Sequence, residues 1–345
     1  MSSGMPLPGG VQGMKTLVVS GHGVKLRVWR GLLVVEHSGS RETIPLAELE
    51  RIVIATGGVS ITSSFVRKLV GYGIDLVFLD SRGVPIARLY PPWITRTVES
   101  RRAQYLAYTE PSRRIEIAVG FAIAKLANQA SFLRYLARRL GMKELMEDVE
   151  KIDRYIAQLY EVSAEPGPDT TKRIMGVEGN AARVYWGAYA QALPRDLGFP
   201  GRDRDSGDPV NMVLNYLYGL LYPEVFKALA TTGLDPYAGF LHVDRSGKPV
   251  LVFDFIEMFR VSAVDSLALD LFRKGFRPRI ENSLLDHPTR TKLIEAFHRW
   301  LERRARPLNW SRSIPIREAL LTWSISLARA LRSGARYEGF VERWP

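Results

Sequence analysis

The hydrophobic period changes once along these 345 residues, at Pro91-Pro92, and that change calls for two units of different class. Before it, short runs rich in Val, Ile and Leu cover Thr16–Val19, Lys25–Trp29, Leu32–Glu36, Arg51–Ile54, Asp75–Leu79 and Pro85–Leu89. Gly21-His22-Gly23 and Arg30-Gly31 separate them at hairpin spacing, which predicts β-strands. One stretch, Ser63–Tyr72, predicts a helix with Phe65, Leu69 and Val70 on one face.

The proline pair stops any regular element. Beyond it apolar residues recur at three and four, as at Ile115, Val119, Ala122 and Leu126, and again at Phe132, Leu136 and Leu140. Further helical runs cover Met142–Tyr160, Ile174–Ala192, Pro209–Thr232, Phe253–Lys274, Thr289–Arg304 and Ile316–Leu331. The polar segment Gly198–Asp208 reads as a mobile loop between helices. The expectation is an α+β chain: a flexible leader over 1–13, a β-rich N-terminal domain over 14–90, a linker over 91–96 and a mostly α-helical C-terminal domain over 97–345.

With 46% hydrophobic residues the chain can bury an ordinary core. Its net charge is +12, and residues 271–345, with 16 Lys/Arg against 7 Asp/Glu, carry 16 − 7 = +9 of it. Such a basic surface attracts nucleic acid or an anionic membrane, and fits a merely well-solvated protein equally well. The absence of cysteine excludes disulfides, thiolate metal sites and cysteine nucleophiles. Residues 1–13 lack a signal-peptide pattern, and no run approaches the roughly 20 apolar residues of a membrane span. A soluble, cytoplasmic protein is expected. Asn and Gln are scarce, as in heat-adapted chains.

Several familiar motifs fail. Gly21-x-Gly23 is followed by a strand where a dinucleotide fingerprint needs a helix, and Ser246-Gly247-Lys248 lacks the rest of a phosphate loop. Of five histidines, His22, His37, His287 and His298 fall at turns, strand ends or charged helices and read as solvated. His242 differs, because an apolar approach (Gly239-Phe-Leu-His242) precedes it and a second apolar run, Val250–Phe253, leads on to Asp254 and Glu257.

Those two acids are three apart, so a helix would put them on one side, one turn apart. Like charges beside an apolar run repel unless a cation lies between them. Carboxylates at a helix start also complement the helix dipole, so spacing alone leaves both explanations standing. Glu178, in Gly176-Val-Glu-Gly-Asn-Ala-Ala-Arg183, admits the same two readings, with small neighbours that permit close approach.

The order and spacing of these segments resemble the integrase of CRISPR adaptation, CRISPR-associated protein one, over nearly the whole chain. The likeness runs through Met14-Lys-Thr-Leu, Gly23-Val-Lys-Leu-Arg-Val, Lys125-x-x-Asn128-Gln129, Gly176-x-Glu178-Gly-x-Ala-Ala-Arg183-x-Tyr, Asp208-Pro-Val-Asn211 and Asn215-Tyr216. It closes on Gly233-Leu-Asp-Pro236-Tyr-x-Gly-Phe-Leu-His242 and Asp254-x-x-Glu257-x-Phe-Arg260. The resemblance implies a helical catalytic domain in which Glu178, His242 and Glu257 hold a divalent metal, with Asp254 in support. It also implies a homodimer, a complex with CRISPR-associated protein two, and insertion of spacer DNA at the repeat border by 3′-hydroxyl attack. Met258 stands where the family often has proline, and the leader before Met14 has no place in its pattern.

Such a mixed O/N donor set suits Mg²⁺ or Mn²⁺, with histidine favouring Mn²⁺. Arg183, Arg245, Lys248 and Arg260 lie close in sequence to the acids and the histidine and are candidates to hold DNA phosphates. Two rivals remain at this stage: a stand-alone metal-dependent nuclease for branched or damaged DNA, and a non-catalytic basic DNA-binding scaffold.

Overall fold

A computed structural model describes residues 15–80, 85–89, 98–164, 167, 169–243 and 246–345, which form two compact units, one on each side of the residues 90–97. The leader expected over 1–13 and the linker expected over 91–96 lie outside the described residues.

The first unit runs β1 (Lys15–Val19), β2 (Val24–Trp29), β3 (Leu32–His37), β4 (Ser40–Pro45), β5 (Leu49–Ile54), β6 (Val59–Ile61), α1 (Ser63–Tyr72), β7 (Asp75–Leu79) and β8 (Pro85–Leu89). One sheet has the order β1-β5-β7-β8, with only β7–β8 antiparallel; the other has β4-β3-β2-β6, with only β2–β6 parallel. Thr62 caps α1 by accepting from the Phe65 N–H, and Gly73 ends it at φ 69°, a conformation glycine adopts without strain. Phe65 and Leu69 thereby join Leu26, Leu33, Ile52 and Leu76 in one core. Arg51 faces Asp75 in the β5–β7 register, and this buried carboxylate takes both Arg51 (2.9 Å) and Arg88 (2.7 Å). β4 and β6 are additions to the expected strands. Nearly every side chain of β4 is exposed, so no alternation announces it.

The second unit is helical: α2 (Val98–Thr109), α3 (Pro111–Leu140), α4 (Leu145–Ala164), α5 (Thr170–Ala192), α6 (Pro209–Thr231), α7 (Val250–Ile256), α8 (Ser266–Arg273), α9 (His287–Leu301) and α10 (Ile316–Ser333). A single π-helical turn, Val261–Asp265, lies between α7 and α8. The carbonyl of Ser262 within it accepts from Trp300 Nε1 (3.0 Å), the Ser266 hydroxyl (3.0 Å) and Arg303 (3.3 Å). Among the described residues, no helix is long and apolar enough to cross a membrane.

Two polar devices tie loops to this helical frame. Asp208 caps α6, accepting from the N–H groups of Val210 and Asn211, and Pro209 takes the first helical position. Asn211 and Asn215 then accept from Arg202 (2.9 and 2.6 Å), while Asn215 donates to the Arg204 carbonyl (2.9 Å). The segment Gly198–Asp208, expected to be mobile, is therefore pinned at its middle and at its C-terminal end. Asn128, fully buried on α3, donates to the carbonyls of Met258 (3.0 Å) and Phe340 (2.7 Å) and accepts from the Glu342 N–H (2.8 Å). It fixes the C-terminal segment against α3, and Gly339 lets that segment come so close that a Cβ there would lie 2.4 Å from Ala124 Cβ.

Candidate active site

α3, α5, α7 and the turn between α6 and α7 bring Lys125, Glu178, Glu257, Asp254 and His242 into one region of the second unit. Glu178 is the ninth residue of α5, and Glu257 caps the C-terminal end of α7, whose first turn holds no acid. The helix-dipole explanation left open by the sequence fails for both. The apolar run Val250–Phe253 is already helical, so Asp254 falls mid-helix and fully buried.

Asp254 organises the histidine. Its Oδ2 accepts from the N–H groups of Phe240 (2.6 Å) and Leu241 (3.0 Å). Its Oδ1 accepts from the His242 N–H (3.1 Å) and lies 2.6 Å from His242 Nδ1. This needs glycine at 239, where a Cβ would stand 2.8 Å from Asp254 Oδ2 and 2.5 Å from Val250 Cγ1. A proton on Nδ1 directed at the carboxylate leaves Nε2 as the lone-pair nitrogen of the neutral ring. The hydrogen bond to Asp254 draws the imidazole pKa upward, against the effect of burial.

Glu178 and Glu257 are 7% and 6% exposed and share one ammonium: Lys125 Nζ lies 3.4 Å from Glu178 Oε1 and 2.9 Å from Glu257 Oε2. Beyond these ion-pair contacts the two oxygens are buried without a well-formed hydrogen bond. Arg260 takes the other oxygen of Glu257 at 3.0 Å. Burial raises the Glu178 carboxyl pKa against the pull of Lys125. Burial acts the same way on Glu257, but Arg260 and Lys125 outweigh it and hold that carboxyl at about 2. For Lys125, burial is outweighed by Glu178 and Glu257, so its pKa is raised.

Behind this pair stands a further buried acid, Asp265. The Arg260 guanidinium lies 4.8 Å from the Tyr218 ring centre, and Arg202 lies 5.4 Å from it. The Tyr218 and Tyr185 hydroxyls donate to Asp265 (2.5 and 2.9 Å), whose pKa burial pushes up. Asp265 thus sets the ring against which Arg260 rests, and Arg260 holds Glu257.

The donors fit a divalent cation: two buried carboxylate oxygens already gathered round a positive charge, and an imidazole with its second nitrogen engaged. Among the described residues, however, no three His, Asp or Glu side chains stand closely enough to enclose an ion as they are. Lys125 fills that role of counter-charge. Of the basic candidates, Arg183 is exposed and donates to Asn180 (2.5 Å), and Lys248 is exposed in the turn before α7. Arg260 is engaged by Glu257, and Arg245 lies outside the described residues. His22, His37 and His287 are exposed as expected; His298 is half-buried, because α9 turns it partly inward beside Phe297. Sequence reasoning gave Lys125 no role, although a lysine within the apolar face of α3 is itself a signal of a buried partner.

The family model for CRISPR associated protein Cas1 matches residues 17–299. The CRISPR-associated endonuclease Cas1 1 of Pyrobaculum aerophilum is 39% identical over 297 residues, which is 85% of this chain and 92% of that protein. Among solved structures, a casposase bound to integration product aligns with TM-score 0.80 at 24% identity, over 94% of this chain and 93% of that one. A Cas6-RT-Cas1–Cas2 complex aligns with TM-score 0.73 at 19% identity, over 96% of this chain and 36% of that one. The chain belongs to the Cas1 family of CRISPR-associated endonucleases.

Proposed function

We propose that this chain cuts and joins DNA phosphodiesters in CRISPR adaptation, inserting spacer DNA at a repeat border with Glu178, His242 and Glu257 as its metal ligands. The observation that carries the reading is the pair of buried glutamates sharing one positive charge beside a histidine oriented by Asp254. Buried like charges are costly unless a cation answers them, and here the answering group is a lysine on a flexible stem. Mg²⁺ or Mn²⁺ bound by these residues would offset charge building on the scissile phosphate and lower the pKa of an attacking hydroxyl or water.

The chain's own residues perform the rest. Asp254 fixes the tautomer of His242, so that Nε2 presents a lone pair. Arg260 holds Glu257 ionised. Exposed Arg183 and Lys248, with Arg245, offer phosphate contacts that carry no sequence information. Among the described residues β1, β8, β4 and β6 end the two sheets of the first unit, and end strands of this kind suit pairing of two copies. The resemblance to complexes containing Cas2 favours CRISPR-associated protein two as the further partner.

The test compares wild type with Glu178→Ala, His242→Ala and Glu257→Ala, using labelled DNA ends and a supercoiled repeat-bearing plasmid with Mn²⁺, Mg²⁺ or EDTA. Metal-dependent joining lost in all three folded variants is expected. Nicking without joining would reduce the reading to a nuclease, and DNA binding with no metal-dependent chemistry would leave a scaffold.

A further inference from the structure

The second unit has a cavity of about 530 Å³ that the site above does not use. Gly120, Ile123, Ala124 and Ala127 of α3 line one side, and helical spacing puts them on the face of α3 opposite Lys125. The volume lies within the roughly 300–1,000 Å³ of ligand pockets. Its other walls mix aliphatic, polar and aromatic side chains. Trp310 and Trp323 lie with ring centres 5.3 Å apart at 33°, and Tyr160 and Tyr337 are the other aromatic residues of the lining.

Guanidinium groups cover the outer rings. Arg312 lies 5.5 Å from the Trp310 ring centre, Arg336 lies 5.9 Å from that of Tyr160, and Arg306 Nε reaches the Trp310 carbonyl at 3.4 Å. Glu338 lines the same cavity and provides an acceptor. Deep inside, the Tyr337 hydroxyl is buried, with the Met258 sulfur at 3.6 Å as its weak partner. Asn128 bonds Phe340 and Glu342, just beyond Tyr337 and Glu338, and so ties this segment to α3.

We propose that this cavity binds one unpaired base of a DNA strand, held among Tyr160, Trp310 and Trp323, with Arg336 placed to meet a neighbouring phosphate. Flat rings paired with guanidinium planes are what a single-stranded nucleic acid requires, since every base has a π-face and every linkage a negative charge. Arg336 lines the cavity and Arg306 and Arg312 lie against Trp310, and residues 271–345 carry +9 of the chain's +12, so the charge complements a polyanion. Glu338 would accept from an exocyclic amine, which favours cytosine or adenine over thymine. The site deepens the reading of the chain as a DNA enzyme and rests on it, while standing apart from the carboxylates.

The test irradiates the full-length protein with a labelled single-stranded oligonucleotide bearing one 5-iododeoxycytidine and maps the adduct by peptide mass spectrometry. Binding of the same strand and of a duplex is measured by anisotropy for wild type, Trp310→Ala and Arg336→Glu. The expected result is an adduct on Trp310 or Tyr160, with single-strand binding weakened about tenfold or more in both variants and duplex binding unchanged. Adducts confined to other segments, with single-strand affinity unchanged in both variants, would overturn the site while leaving the DNA enzyme intact. Failure of the wild type to bind either DNA would overturn both.

Discussion

Asp254 Oδ1 lies 2.6 Å from His242 Nδ1, joining a buried helix residue to the turn twelve positions before it. The same carboxylate holds three backbone N–H groups of that turn, so the ring and its backbone are set by one group. Asp254→Asn keeps the size but brings an amide N–H₂ among donors. It is expected to lower Mn²⁺ affinity and DNA joining by about 10–100-fold, the usual effect of losing such an outer partner. Calorimetric titration of Mn²⁺ into the folded variant checks this; unchanged affinity would show that His242 needs no such orientation.

Lys125→Met removes the positive charge between two buried glutamates. Leaving buried charge without its partner costs about 3–5 kcal/mol, so urea unfolding in EDTA should register a loss of that order. Saturating Mn²⁺ should recover part of it, because an ion that binds only the folded chain stabilises it. A variant as stable as wild type in EDTA would mean that the carboxylates are not both charged.

Acid stability isolates Glu257. Its folded pKa of about 2 lies below the usual 4.5, so its ionised form stabilises the fold above 4.5 and that contribution is lost as pH falls toward 2. Glu178, raised by burial, acts in the opposite sense over its own range above 4.5. Wild type should therefore lose stability between pH 4.5 and about 2 more steeply than Glu257→Gln in metal-free buffer. Parallel curves for the two proteins would contradict the pairing with Arg260 and Lys125.

Gly239→Ala should be destabilising by about 1–3 kcal/mol, since the added methyl would meet Val250 and the Asp254 carboxylate. Thermal unfolding measures the loss, and DNA joining should fall with it as His242 shifts. An unaffected melting temperature would mean that the turn relaxes freely.

Much of this architecture could be read from the residues, and the exceptions have physical causes. α1 matches Ser63–Tyr72 because Thr62 and Gly73 mark its ends, and α6 begins where Asp208-Pro209 says it should. β4 escaped because an exposed edge strand of Ser, Arg, Glu and Thr lacks an apolar alternation. α7 began three residues before the expected Phe253, because Val250, Leu251 and Val252 are all buried and a helix covered on every side hides its period. Local spacing singled out Glu178, His242 and Glu257 without deciding their role, which only the family resemblance supplied. It could not reveal Lys125 between the glutamates, since that meeting depends on how three helices pack.

The π-helical turn at Val261–Asp265 has a consequence for how this region tolerates change. It lets one extra residue into the helical path that enters α8, a common mark of functional helices. Glu257 lies upstream of that insertion, while Asp265 closes it. Deleting a single residue from the turn would rotate everything after it by roughly 100°. Asp265 would then leave Tyr185 and Tyr218, and Trp300 would lose the Ser262 carbonyl, with every side chain of the candidate site still present in the sequence. The rotational phase of this helix is thus as heritable a part of the site as the ligands themselves.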